Sequence, residues 1–146
     1  MAEALAGLGD ELEWRRSVTA EHVAMYAEIT GDRNPLHFDE EFASKSRFGK
    51  LIIHGGITAG TLNALVAERL APGAVFLEQE LKYLAPACVG DELVASGSVT
   101  WKHESKPVVK LDVRVTAKSP EDPEPREVLT GKVVVYVAAP ARKANA

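Results

Sequence analysis

Gly31-Asp32-Arg33-Asn34-Pro35-Leu36-His37, followed by Leu51-Ile52-Ile53-His54-Gly55-Gly56, is the part of the chain whose reading decides the rest. The first stretch cannot be helical throughout, because Pro35 fixes its own φ and pushes Asn34 towards extended geometry. It reads as a loop on which a carboxylate, Asp32, and an imidazole, His37, can converge. The second stretch sets two glycines at the head of a long apolar segment. There the unpaired N–H groups of a helix N-terminus would face any negative charge that develops in front of them. An acid, a base and a polarising helix end predict proton transfer beside an activated carbonyl.

Upstream of the loop, Val23, Tyr26 and Ala27 fall at helical spacing from Thr19, which suits an N-cap, and Gly31 ends the segment. Downstream, residues 38–42 predict a short helical turn, with Asp39, Glu40 and Glu41 near its start where acidic groups suit the helix dipole. Gly56 to Leu70 is apolar on nearly every side before Glu68 and Arg69, the pattern of a buried helix, and Ala71-Pro72-Gly73 stops it. Its small residues Gly56, Ala59, Gly60 and Ala64 admit a close-lying sheet. Four segments with period two follow, at 75–83, 93–101, 109–116 and 129–137, each with one face for a core. Short polar turns separate the first three, and a longer loop, Ser119 to Pro125, precedes the fourth. Helices first and then a run of strands predict an α+β fold, an antiparallel curved sheet wrapped around one long buried central helix. Residues 1–13 show no period and read as a loose arm; residues 138–146 read as a loose end, leaving a core over about 14–137 of a single domain.

At 146 residues with 46% hydrophobic and 26% charged content, one domain with a real core is expected. A net charge of −4 and a pI near 5.6 argue against a nucleic-acid partner. No apolar run approaches the roughly 20 residues that a spanning helix needs, so no membrane role is expected. Met1 to Asp10 lacks the basic start of a signal peptide, and the lone Cys88 cannot close an internal disulfide; both suit a cytoplasmic protein. Apolar neighbours make Cys88 structural rather than nucleophilic. G-x-S-x-G, paired C-x-x-C, H-E-x-x-H and Walker sequences are absent, which leaves hydrolase, metal and nucleotide chemistry without a foothold. Asp32, His37 and His54 could be imagined around a metal, but their loop spacing is too weak a signal, and none is expected.

With Tyr26 ahead of it, Ala43 or Ser44 after it and His54-Gly55 further on, the Gly31 to His37 core resembles the (R)-specific enoyl-CoA hydratases and the wider MaoC-like dehydratase family, from about Trp14 to Val137. The resemblance implies a hot-dog fold and a hydratase/dehydratase that interconverts trans-2-enoyl and (R)-3-hydroxyacyl thioesters. It implies that Asp32 and His37 hold the attacking water between them, while Gly55 N–H binds the thioester oxygen. Asn34 is expected to orient the loop, and His54 either packs at the helix start or takes part directly. Asn63 stands where hydratases of this kind often carry serine, and either reaches the site or bonds to backbone. Coenzyme A or acyl carrier protein would be the substrate's handle, with no cofactor. A homodimer or dimer of dimers is expected, since pairing two exposed sheet edges removes a liability. Two alternatives stay open: a hot-dog thioesterase, whose carboxylate would have to be Glu68, and a protein that binds acyl thioesters without turning them over.

Overall fold

The computed structural model describes residues 6–137. In chain order it comprises β1 (Glu11–Ser17), α1 (Ala20–Thr30), a 3₁₀ turn (Pro35–His37), α2 (Glu40–Ser44), α3 (Gly55–Ala64), a π-helical continuation (Leu65–Leu70), β2 (Val75–Tyr83), β3 (Glu92–Lys102), β4 (Val108–Ser119) and β5 (Asp122–Tyr136). The five strands make one sheet in the order β1-β3-β4-β5-β2, every neighbouring pair antiparallel. Leu62, Leu65 and Val66 of the central helix pack into a core with Leu93, Leu111, Val115 and Leu129 of the sheet. None of the described helices is long and apolar enough to cross a membrane.

Two glycines let the sheet close on the helix. Gly97 pairs with Val113, which pairs with Gly131, in one row across β3, β4 and β5. A Cβ on Gly97 would lie 3.3 Å from Leu65 Cδ2, and one on Gly131 would lie 2.7 Å from Leu81 Cδ2. Any side chain there would push the helix or the neighbouring strand away.

Several sequence expectations change. Residues 11–13, expected in a loose arm, begin β1, which pairs with β3 from Glu11↔Ser98 to Ser17↔Glu92. Its side chains are mostly charged, so backbone pairing and not apolar periodicity makes it a strand. Residues 1–5 and 138–146 lie outside the described residues. The short helix near residue 40 starts two residues later than expected, where the Asp39 carboxylate accepts from Phe42 N–H at 3.0 Å. The expected long loop after Ser119 is a tight hairpin, because β5 already begins at Asp122. Pro123 and Pro125 are tolerated there since β2 reaches β5 only from Leu129 onwards, which leaves one side of the strand unpaired. Trp101, expected inside with Val99, is turned outward by a bulge between them and lies against Lys110 and His103. In β2 a bulge between Phe76 and Glu78 breaks the expected alternation, so Phe76 packs on the core while Val75 and Leu77 are exposed.

Candidate active site

α1 delivers the loop. The Thr19 hydroxyl accepts from His22 N–H at 3.2 Å, and the His22 ring accepts from Thr19 N–H at 3.0 Å, so a reciprocal capping box starts the helix. Gly31, at φ 80°, ends it in the left-handed conformation that glycine adopts without strain. Two nested Asx turns then set the loop: Asn34 N–H donates to Asp32 Oδ1 at 3.1 Å, and Leu36 N–H donates to Asn34 Oδ1 at 3.0 Å. Asp32 is exposed, and its Oδ2 has no partner among the described residues. Asn34 therefore orients the loop through its own side chain.

The two histidines are locked by backbone carbonyls. His37 Nδ1 lies 2.7 Å from Ile52 O, and a carbonyl can only accept, so Nδ1 carries the proton and the neutral ring presents a bare Nε2. His54 Nε2 lies 2.9 Å from Asp32 O, which by the same logic leaves Nδ1 as the acceptor. That Nδ1 is enclosed without a partner, and His54 is 1% exposed. The two imidazole rings lie with centroids 3.9 Å apart and tilted by 32°, and the Tyr26 ring lies 4.8 Å from His54. His54 is thus a latch that ties the loop to the start of α3.

His54 is the N-cap residue of α3, yet no side chain caps the helix. Ile57 N–H turns back to His54 O at 3.0 Å, while the N–H groups of Gly55 and Gly56 meet no acceptor among the described residues. Two tyrosines wall this end. A Cβ on Gly55 would sit 2.9 Å from Tyr83 Cε1, and a Cβ on Gly56 would overlap the Tyr26 hydroxyl. Burial pushes the Tyr83 phenol above its ordinary pKa, and the nearby Tyr26 phenol adds to the shift. At Gly56 a side chain would displace Tyr26, whereas at Gly55 it would push the exposed Tyr83 ring aside.

Donor atoms of Asp32, His37 and His54 all lie within 4.8 Å of one another. By donor type they could hold a cation, but each histidine has one nitrogen committed to a carbonyl and the free nitrogen of His54 is shut in. Asn63 is not brought to this group. It is exposed beside Phe76 to Gln79, eight residues and so about 12 Å along the axis from Gly55. Tyr83 and the Ile52 carbonyl were not anticipated. Tyr83 read as a plain strand residue, and a carbonyl leaves no trace in side-chain identity. Cys88 is buried, and that burial pushes its thiol up, as a structural cysteine requires.

Fold and site together define a hot-dog protein whose central helix opens its N-terminus onto a carboxylate and a bare imidazole nitrogen. The MaoC like domain matches residues 6–120. The (R)-specific enoyl-CoA hydratase of Aeromonas caviae is 34% identical over 109 residues, 74% of this chain and 81% of that one. The solved structure of the (R)-hydratase from A. caviae involved in PHA biosynthesis superposes with a TM-score of 0.81 at 31% identity, covering 90% of this chain and 96% of that chain. The 3-hydroxybutyryl-CoA dehydratase of Methylorubrum extorquens is 45% identical over 78 residues, 53% of this chain but only 50% of that protein's length. The chain belongs to the MaoC-like dehydratase family. Relatives named as hydratases and dehydratases support a hydro-lyase activity for it.

Proposed function

We propose that the protein is an (R)-specific hydratase/dehydratase that interconverts trans-2-enoyl and (R)-3-hydroxyacyl thioesters, with coenzyme A or acyl carrier protein as the thioester's carrier. The observation that carries this is the 2.7 Å contact of His37 Nδ1 with Ile52 O: with Nδ1–H donated there, Nε2 of the neutral ring is a ready acceptor beside the open Asp32 carboxylate. Water held between the two loses a proton as its oxygen bonds to C3, C2 gains a proton, and the C2=C3 double bond becomes single. The enolate-like thioester oxygen rests on the uncapped N–H of Gly55, where positioned donors stabilise developing charge. The reaction so written draws on no metal, nicotinamide or other cofactor.

A thioesterase reading would need Glu68, which lies thirteen residues, roughly 20 Å, along the helix from Gly55. A binding-only reading leaves the locked tautomer of His37 without a purpose.

The active form is read as a homodimer, or a dimer of dimers, joined through β2. Val75 and Leu77 are 52% and 55% exposed on this edge strand, whereas the other edge, β1, carries Glu11, Glu13, Arg15 and Arg16. β2 ends in Tyr83 over Gly55, so a partner paired there would stand beside the site. The lone Cys88 suits a cytoplasmic location.

The test is to incubate the protein with crotonyl-CoA and a longer trans-2-enoyl-CoA, without added metal, and resolve the product. A single (R)-3-hydroxyacyl thioester is expected. Racemic or (S) product would overturn the mechanism, and free thiol without hydroxyacyl thioester would make the protein a thioesterase. Light scattering checks assembly: a strictly monomeric mass with full activity would refute the dimer.

A further inference from the structure

Asp91 is a carboxylate side chain only 2% exposed, outside the group of Asp32, His37 and His54. Its Oδ2 accepts from Arg126 Nη2 at 2.6 Å and from Cys88 N–H at 3.0 Å. The same Arg126 nitrogen donates to Pro86 O at 3.1 Å. Two contacts thus fasten the turn at residues 86–91 to β5, and the third braces the turn on itself. A buried carboxylate with no partner would be strongly disfavoured, so this turn has one arrangement that satisfies it.

The turn in turn holds the irregular segment that leads into the site. Ile53 N–H donates to Ala87 O at 2.9 Å, while Ile52 N–H points the other way, to Leu36 O at 3.1 Å. In extended backbone the N–H and C=O of one residue face the same side, so Ile52 O faces the loop as well, where it receives His37 Nδ1–H at 2.7 Å. The Ile52–Ile53 segment is clamped between two walls. One wall contains His37, and the other is set by the Asp91–Arg126 pair.

We propose that Asp91 and Arg126 are positioning residues for the hydration reaction, acting through Ala87 and Ile53 to hold the Ile52 carbonyl where it fixes the tautomer of His37. This rests on the hydratase reading for its kinetic consequence, though not for its geometry. Loosening the pair lets Ile52 O drift, and the proton of His37 can then occupy Nε2, the nitrogen that must be bare to accept from water. Gly55 lies only two residues beyond Ile53, but a donor to the developing oxyanion acts on the transition state, so any shift of it falls on kcat as well. The loss should therefore fall on kcat and not on KM, and a misplacement near 1 Å can cost up to about a hundredfold.

The experiment uses the full chain with Arg126→Gln, Arg126→Lys and Asp91→Asn, each checked for folding by circular dichroism. Arg126 is 37% exposed, so its variants keep the test open should Asp91→Asn not fold. With crotonyl-CoA, Arg126→Gln is expected to lower kcat about tenfold or more with KM within about twofold, and Arg126→Lys, which keeps the charge, to recover most of that loss. In parallel, ¹⁵N NMR of the imidazoles reads the tautomer directly. Wild-type His37 should be in the Nδ1–H form and the Arg126→Gln protein a mixture. A folded Arg126→Gln protein with wild-type kcat, or with His37 still wholly Nδ1–H, overturns the proposal. Were the wild type inert towards enoyl-CoA, the hydratase reading would fail alone, and the NMR arm would still decide whether the pair sets the tautomer.

Discussion

Two loops press on the Leu51–His54 segment from opposite sides, and they hold it by opposite means. The Gly31–His37 loop keeps its polar side chains exposed: Asp32 and Asn34 cap their own turns, and Asp32 keeps one carboxylate oxygen open. The turn at residues 86–91 buries its one charge and satisfies it with Arg126 and a backbone N–H. The first leaves a carboxylate oxygen open, as the proposed chemistry needs. The second saturates its charge, as a buried group must. On the proposed reading, chemistry and support are divided between two short turns.

Breaking the first side should have the largest effect. Asp32→Asn and His37→Ala are each expected to lower hydration of a 2-enoyl-CoA by at least about a hundredfold with the fold intact, and the double variant should cost little more than the worse single. Steady-state kinetics beside a circular dichroism spectrum checks this; near wild-type turnover from either variant would remove that residue from the site.

On the second side the effect should appear in stability. Asp91→Ala strands part of the Arg126 charge and frees the Cys88 N–H, which should cost about 2–3 kcal/mol, towards the low side for a buried pair because Arg126 is partly exposed. Asp112→Ala removes the Lys132–Asp112 pair, 2.9 Å long but exposed on both partners, and should stay within about 1 kcal/mol. Urea melts of both variants measure the contrast, and equal losses would mean that the buried pair is not special.

Where the two sides meet, at the head of α3, Gly56→Ala drives a methyl into the Tyr26 hydroxyl and should cost about 1–3 kcal/mol. Gly60→Ala, with nothing within 4 Å, should be neutral or slightly stabilising. Adding Tyr26→Ala to Gly56→Ala should give less than additive loss in thermal melts; strict additivity would contradict the contact.

The smallest effect concerns Cys88 in the second turn. Burial raises its pKa, so at pH 8 less thiolate is present than in an unhindered cysteine, and alkylation of the native protein by iodoacetamide should be at least about tenfold slower than after denaturation. Equal rates, followed by mass spectrometry, would mean that this turn opens readily.

Much of the fold was legible because it is written in local patterns. The Thr19 cap, the Gly31 stop and the apolar run to Leu70 lie within single elements, and the alternation of β4 from Val109 to Ala117 is nearly unbroken. Where Trp101, Leu77 and Asp122 departed from expectation, the cause was a neighbour: bulges set by the register of β4 and β5, and a hairpin closed by pairing. β1 was missed for the same reason, since its charged residues become a strand only beside β3. At the site, Asp32, Asn34, His37, His54 and Gly55 were all readable from the motif and converge on one place, while Asn63 lies elsewhere.

By itself, the sequence determined which groups are available and in what local geometry. Proline at 35 forbids a continuous helix, glycine at 31 accepts a left-handed turn, and an all-round apolar helix must be enclosed. Only the tertiary structure decided what those groups can do. The protonated nitrogen of His37 is chosen by a carbonyl fifteen residues away, that of His54 by a carbonyl twenty-two residues back, and Tyr83 comes to Gly55 from the end of a strand that pairs with β5. The physical reason is that backbone carbonyls are the same at every position in the chain. Which one meets a given imidazole is therefore invisible in side-chain identity and is settled only when distant segments pack.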